Sequence, residues 1–345
     1  MLKIPSFGLL MPSVTLRMET DPAVKRFAAS AASVLVAGIA AITAAAYLAS
    51  LGFNFKLAIF AIAAVQPLAF AATCLMSIRL AIIAGPPARI ADAFWTNVIT
   101  SAIALAAPPR LTDAAKPVIF NLLGKVPFAH TVAAVTVERL FDVAYLCLLT
   151  TVALLGATSS IAGTLRVAIY PFEAILITAL AVVILFLIYP PALAKSVRVI
   201  PIGRLRGFVE DAFSVVRRVK SRRILAATLG ISLAIWVTSY LIFVVLIATM
   251  STPALTNIQI LIVFVAATIG FSITFTPAGL GTYEAAIVLS LRNFGYPFAD
   301  ALTIALAMRF ALLLSTAIPA AAFAALSRGR LAMALAKLWN WRPVK

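Results

Sequence analysis

The sequence predicts an all-α polytopic membrane protein, with about six full transmembrane helices and two broken re-entrant hairpins. Hydrophobic residues make up 63% of the 345 residues. Charged residues make up only 11%, against about a quarter in soluble domains. The apolar residues are gathered into runs of membrane-crossing length, and the positive charges lie between these runs.

Six apolar runs approach or exceed the roughly 20 residues that a helix needs to cross the hydrocarbon core. They lie near residues 27–50, 56–79, 130–156, 168–190, 224–250 and 300–327. Together they define one transmembrane domain over residues 27–327. The first run is followed by others, so we expect a membrane helix there and not a cleaved signal.

Basic residues are concentrated in three segments that flank the apolar runs: residues 1–26, 191–223 and 328–345. The chain carries 28 Lys and Arg against 11 Asp and Glu, a formal net charge of +17. Such a charge is also typical of nucleic-acid-binding proteins, but its placement between membrane-length runs argues against nucleic acid as a partner. By the positive-inside rule, both termini and the 191–223 loop face the cytoplasm, where anionic lipid headgroups are natural contacts.

Two regions, 89–124 and 257–294, do not fit a simple span, because each has two short apolar arms around a Pro or Gly break. With the amino terminus inside, the full spans require region 89–124 to begin and end at the cytoplasmic face. The same reasoning requires region 257–294 to begin and end outside. Two broken hairpins that enter from opposite faces are what an inverted repeat predicts. The alternative is that one break is a surface loop between two ordinary helices.

The second break has the sequence TPAGLGTYE, from Thr276 to Glu284. Backbone groups freed at membrane depth have no water to bond, so they must be buried in protein or line a wet cavity. Gly279 and Gly281 precede a half-helix whose free N–H groups suit a phosphate. Glu284 lies in the first turn of that half-helix and complements its dipole. In the plainer interpretation, Glu284 only caps the helix.

The first break has the sequence APPRLTDAAK, in which we predict Thr112 as the N-cap of the following helix. Asp113 then lies in the first turn, with Arg110 just before it. An acid at this position would repel a phosphate unless Arg110, Lys116 or Arg309 neutralised it. The plainer interpretation is again helix capping alone.

Four of the 11 acidic residues fall in or beside the hydrophobic interior, where ionisable groups are costly, usually paired and often functional. They are Asp113, Glu138, Asp142 and Glu284, and the available basic partners are Arg110, Lys116, Arg139 and Arg309. In VERLFD, Glu138 and Asp142 are four residues apart and share one helix face, while Arg139 points about 100° away. Two interpretations stay open: the carboxylates share a proton or bind cations, or one of them forms an interhelical salt bridge, for example with Arg309.

Residues 202–219 place apolar side chains at helical spacing beside four arginines, which predicts an amphipathic helix that anchors at the membrane surface. The one histidine, His130, lies at the start of a span and is assigned no role. With one histidine and no nucleotide-binding fingerprint, the sequence predicts no catalytic residues, no metal site and no cofactor.

Three motifs occur in the order PPRLTDAAK (Pro108 to Lys116), VERLFD (Val137 to Asp142) and TPAGLGTYEAA (Thr276 to Ala286), followed by the arginine of LAMRF (Arg309). In this combination they resemble the lysylphosphatidylglycerol synthase transmembrane family, also called the flippase-like domain. The resemblance covers about residues 27–327. The first motif departs from the family pattern at several positions; Asp113, for example, stands in place of Glu and Lys116 in place of Arg.

The resemblance implies translocation of a phospholipid, or of another lipid with an anionic or phosphate-bearing headgroup, across the bacterial inner membrane. Fusion members of the family attach a cytosolic aminoacyl-transferring domain to such a region, and their membrane part is held to translocate the lysylated lipid. This chain ends about 18 residues after the last predicted span. We therefore expect a stand-alone flippase-like unit and no enzyme.

The expected site lies where the two broken hairpins meet near the membrane midplane. Its predicted headgroup contacts are Arg110, Lys116, Arg309, Gly279, Gly281 and Glu284, and its predicted gating pairs involve Asp113, Glu138, Arg139 and Asp142. Two alternatives stay open: a non-transporting partner of a lipid-modifying enzyme that binds through the 191–223 loop, and a membrane-embedded lipid transferase. A homo-oligomer is also compatible with the sequence.

Overall fold

The structure, a computed structural model, describes residues 55–106, 109–156, 203–250, 254–273 and 280–326, together with the isolated positions 174, 177, 178, 181 and 276. The flanking segments 1–26 and 328–345, the predicted span 27–50 and nearly all of the predicted span 168–190 lie outside the described residues.

The regular secondary structure of the described residues is entirely helical. In chain order the helices are α1 (Phe55–Ala84), α2 (Ile90–Ala106), α3 (Pro109–Gly124), α4 (Phe128–Gly156), α5 (Gly203–Val219), α6 (Arg222–Met250), α7 (Asn257–Ser272), α8 (Thr282–Asn293) and α9 (Phe298–Leu326).

The described helices repeat one pattern of lengths on either side of α5. Helices α1 to α4 are 30, 17, 16 and 29 residues long. Helices α6 to α9 are 29, 16, 12 and 29 residues long. Among the described residues, each half therefore contains a long helix, two short helices and a second long helix.

Each predicted hairpin region contains two short helices that pack against one another: α2 with α3, and α7 with α8. Helix α7 begins with a reciprocal cap, in which the Gln259 side chain accepts from the Thr256 N–H at 2.9 Å and the Thr256 hydroxyl accepts from the Gln259 N–H at 3.4 Å. This cap satisfies two N–H groups that the helix start would otherwise leave free.

Three of the described helices are long and apolar enough to cross a membrane: α1 over Ile59–Ala84, α6 over Arg222–Thr249 and α9 over Phe298–Pro319. Helix α4 is as long as α6 but carries Glu138, Arg139 and Asp142 near its middle. The chain is thus a helical membrane protein, while the count of about six spans and the re-entrant path of the hairpins remain predictions.

The core has two main parts that follow the two halves. Helices α6 to α9 enclose one apolar cluster, which also includes Ala61 and Val65 of α1. Helices α1 to α4, joined by α5, enclose the other around Leu80, Phe120 and Val137. Because α1 contributes to both clusters and packs along α6, it connects the two halves.

Helix α5 turns part of its apolar face toward the protein. Phe213, Val216 and Val219 are buried, and α5 packs on α4. The Arg218 side chain donates to the Ile82 carbonyl at 3.3 Å, beside the carboxyl end of α1. Protein covers these three apolar residues, and the anchoring of this helix at the membrane surface stays a prediction.

Candidate functional site

Within the part of the chain that the structure describes, the largest group of interior charges surrounds α4. Glu138 and Asp142 lie one turn apart on it, and the Arg79 guanidinium from α1 bridges them. Arg79 Nε donates to Glu138 Oε1 at 3.3 Å, and Nη1 donates to Asp142 Oδ1 at 2.7 Å. Arg79 Nη1 also donates to Ser232 Oγ on α6 at 3.1 Å. The spacing of the Glu138 and Asp142 carboxylates therefore allows one arginine to bind both.

The second oxygen of Glu138 is also occupied. Lys116 Nζ, from α3, donates to Glu138 Oε2 at 2.8 Å. Glu138 is 1% exposed, and Arg79 and Lys116 are 2% and 7% exposed. Two cations on one buried carboxylate give it the direct hydrogen bonds that compensate for the loss of water.

The edge of this cluster remains accessible. Arg139 donates to Asp113 of α3, and its Nη1 lies 3.3 Å from Asp142 Oδ2. The side chains of Arg139 and Asp113 are 51% and 44% exposed. We call Arg79, Asp113, Lys116, Glu138, Arg139 and Asp142 the first charged cluster.

A separate pair joins α8 to α9. Arg309 Nε donates to Glu284 Oε1 at 2.5 Å, and the guanidinium carbon lies 4.2 Å from the centre of the Tyr283 ring. Glu284 and Arg309 are 8% and 6% exposed. We call Glu284 and Arg309 the second charged pair, which the Tyr283 ring helps to enclose.

The start of α8 positions Glu284 through the backbone. Gly281 has a φ of 97°, a conformation that favours glycine, and its N–H donates to Glu284 Oε2 at 2.7 Å. The Thr282 hydroxyl donates to the Gly270 carbonyl at 2.7 Å, which ties the start of α8 to the end of α7. The prediction that Glu284 lies in the first turn after the break is confirmed.

Several sequence-based expectations are wrong. Arg309 contacts Glu284, so it does not form the suggested salt bridge with Glu138 or Asp142. Helix α3 begins at Pro109, so Thr112 lies inside the helix and is not its N-cap, and the first turn holds no acid. The Arg110 side chain and Gly279 lie outside the described part of the structure.

Sequence reasoning missed Arg79 as a member of the site. The predicted span 56–79 stopped at this arginine, because a charge at the end of an apolar run usually marks the membrane boundary. Helix α1 in fact continues to Ala84, and Glu138 and Asp142 neutralise the Arg79 charge inside the protein. The signal was the apolar stretch LAIIA directly after Arg79.

The two sites occupy matching places in the two halves. Arg139 is the twelfth residue of α4, and Arg309 is the twelfth residue of α9. Each arginine contacts an acid in the short helix just before it, Asp113 in α3 and Glu284 in α8. In each half, the ion pair of this arginine therefore joins the second short helix to the long helix that follows, and Lys116 and Glu138 form a further pair between α3 and α4.

Comparison with protein families matches residues 23–320 to the family described as Lysylphosphatidylglycerol synthase TM region. The chain belongs to this family. The match covers most of the chain and includes the first charged cluster and the second charged pair. No curated protein and no solved structure matches the chain. Membership of this family indicates that the chain is a membrane protein with a lipid-related role.

Proposed function

We propose that this protein moves a lipid with an anionic or phosphate-bearing headgroup across the bacterial inner membrane. One observation carries the proposal: an accessible ion pair between Asp113 of α3 and Arg139, the twelfth residue of the 29-residue helix α4. Arg139 lies about 17 Å along the axis of α4 at 1.5 Å per residue. The hydrocarbon core is roughly 30 Å thick, so a helix crossing it would hold this arginine near mid-depth.

Lipid hydrocarbon is an expensive environment for an exposed ion pair, and ionisable groups at this depth usually face a polar pathway. The half-exposed Arg139 and Asp113 are the members of the first charged cluster best placed to meet a headgroup. A phosphate can replace Asp113 on the Arg139 guanidinium, because both are anions that accept from the same N–H donors. We assign the first headgroup contact to Arg139, with Arg110 as a second cation.

Lys116 and Arg309 are both engaged with buried carboxylates. In this proposal they contact phosphate only after Glu138 and Glu284 release them. The exchange among Asp113, Arg139 and Asp142 is the gating step, because Arg139 already contacts both acids. The break before α8, with Gly281 and Glu284, forms the corresponding site in the second half.

The membrane orientation in this proposal follows the basic segments, with both termini in the cytoplasm. The two hairpins then enter from opposite faces, and six full spans surround them. Protein residues alone form the site, with no metal or cofactor, and the protein is not an enzyme. Anionic membrane lipids are the proposed partners.

The test is movement of fluorescent phosphatidylglycerol across proteoliposome membranes, followed by chemical quenching of the outer leaflet. We expect Arg139→Ala and Glu284→Gln to lower the rate at least about tenfold, which corresponds to about 1.4 kcal/mol. Glu284→Gln removes the negative charge and keeps one oxygen, which can accept from either Gly281 or Arg309. The matched control is Arg292→Ala, an exposed arginine in the last turn of α8.

Wild-type rates in both test variants would remove these residues from the mechanism. A slow rate in Arg292→Ala as well would indicate a general effect of removing positive charge. Circular dichroism and gel filtration of each purified variant would establish that the chain remains folded.

A further inference from the structure

An apolar cavity of about 410 Å³ lies between α4, α6 and the start of α7. Its walls include Tyr145 and Leu148 from α4, and Leu233, Trp236 and Val237 from α6. Its volume falls in the range of about 300–1,000 Å³ that is usual for ligand pockets. The cavity lining is therefore hydrocarbon and aromatic, and suits an apolar ligand.

The cavity is open on the side that faces away from the core. Leu148 and Leu233 are 54% and 51% exposed, and Val237 is 47% exposed. Helix α6 is one of the helices apolar enough to cross a membrane. In a bilayer, lipid chains surround such a helix, so they are the molecules with direct access to this opening.

Helix α4 carries Glu138, Arg139 and Asp142 of the first charged cluster, and α6 contacts the cluster through Ser232. Asp142 is three residues before Tyr145 on α4, and Ser232 is four residues before Trp236 on α6. Asp142 and Ser232 both accept from Arg79. One helical turn is about 5.4 Å, so charged groups adjoin apolar walls within about one turn.

At the end of the cavity away from the cluster, a polar contact joins α6 to the start of α7. The Tyr240 hydroxyl donates to the Asn257 carbonyl at 2.9 Å, and both residues line the cavity. Nearer the cluster, the Tyr145 hydroxyl donates to the Leu229 carbonyl at 2.7 Å, which joins α4 to α6. These bonds hold the walls in place and leave the opening toward the bilayer.

The first charged cluster and the adjoining apolar cavity together match a molecule with a polar headgroup and a hydrocarbon chain. We propose that the cavity holds one fatty acyl chain of a glycerophospholipid whose headgroup meets the first charged cluster at Arg139. The inference rests on the proposed function for the headgroup contact, and it adds a binding site for the chain. A cavity of this size accommodates a single chain and not a whole lipid.

The probe is phosphatidylglycerol with a photoreactive diazirine in one acyl chain, incorporated into nanodiscs with the full protein. After irradiation, mass spectrometry maps the labelled residues. We expect labelling to concentrate on Leu148, Leu233 and Val237. It should exceed the labelling of Phe60 and Leu289, which are 67% and 64% exposed and lie outside the cavity.

Two filling variants test whether the label depends on the cavity. Leu233→Trp places an indole ring in the opening. Val237→Trp places the same ring one turn away and serves as the second variant if the first folds poorly. We expect labelling at Leu148 to fall to the level of Leu289 in either variant. The matched control, Leu289→Trp, adds the same ring to an exposed leucine on α8 and should leave labelling at Leu148 unchanged.

Labelling that is equal at the cavity and at Phe60 and Leu289, or that survives both filling variants, would overturn the inference, because the chains would then only be solvating the surface. Transport measured on the same protein separates the two proposals. Concentrated labelling without lipid movement supports the chain site and removes the proposed function. Lipid movement with uniform labelling removes the chain site alone.

Discussion

Arg139 and Arg309 occupy the same position in the two halves, the twelfth residue of a 29-residue helix, but they differ in access. The Arg139 side chain is 51% exposed and the Arg309 side chain is 7% exposed. Tyr283 covers Arg309 at 4.2 Å. In the first half, Arg79 and Lys116 pair with the buried Glu138, and Arg139 lies at the exposed edge of the first charged cluster.

This difference separates two properties of an ion pair. A buried pair is held firmly, because removing one partner leaves a charge without water or a counter-ion. An exposed pair is worth only about 0–1 kcal/mol and exchanges partners readily. In the first half, Arg139 can therefore exchange its partner, whereas in the second half Arg309 is buried with Glu284. In the proposed translocation cycle we expect a second state in which Arg309 is accessible and Arg139 is buried.

The largest expected effect is on stability and comes from Glu138→Ala. This change leaves the buried Arg79 and Lys116 without their shared partner, so we expect a loss of about 3–5 kcal/mol in the free energy of unfolding. Denaturation in mixed detergent micelles measures it. Asp211→Ala on α5, at an exposed acid, is the control and should change stability by less than about 0.5 kcal/mol.

Glu284→Ala extends the same comparison, because it removes a carboxylate that pairs with one cation and not with two, and the Tyr283 ring still faces Arg309. We expect it to destabilise less than Glu138→Ala. A larger loss in Glu284→Ala would mean that the second half, not the first, holds the critical buried charge.

An intermediate effect is expected from Gly270→Ala, which tests the closed packing of the second hairpin. A Cβ at this position would lie 2.6 Å from the Thr282 carbonyl oxygen and 2.9 Å from Ala286 Cβ. Overpacking of this kind costs about 1–3 kcal/mol. The control is Gly230→Ala on α6, where a Cβ meets nothing within 4 Å. It should be neutral or stabilising by up to about 1 kcal/mol, and equal losses in the two variants would contradict the argument from close packing.

The smallest stability effect is expected from Asp113→Ala, at the open edge of the first charged cluster. The Asp113 side chain is 44% exposed, so its pair with Arg139 should contribute about 1 kcal/mol or less. The same denaturation assay checks this. A loss as large as that of Glu138→Ala would show that the edge is as firmly held as the buried part, and would remove the exchange step from the proposed mechanism.

The sequence by itself determined the all-helical membrane class, the family, the two broken regions and the location of most interior charges. These follow from local properties: long apolar runs, helix breakers, and acids that hydrocarbon does not tolerate. It also placed Glu284 in the first turn of its helix, because the capping geometry there involves residues only three apart.

Only the tertiary structure decided which charges pair. Glu138 is buried against Arg79 and Lys116, which lie 59 and 22 residues away in the chain, and no local pattern specifies such partners. The role of Arg79 could not be predicted from the sequence, because the residues around an arginine at the end of an apolar run do not show whether its side chain faces water or a carboxylate. The apolar cavity beside the cluster is likewise a property of how α4, α6 and α7 pack, since volume left between helices depends on all of their side chains at once.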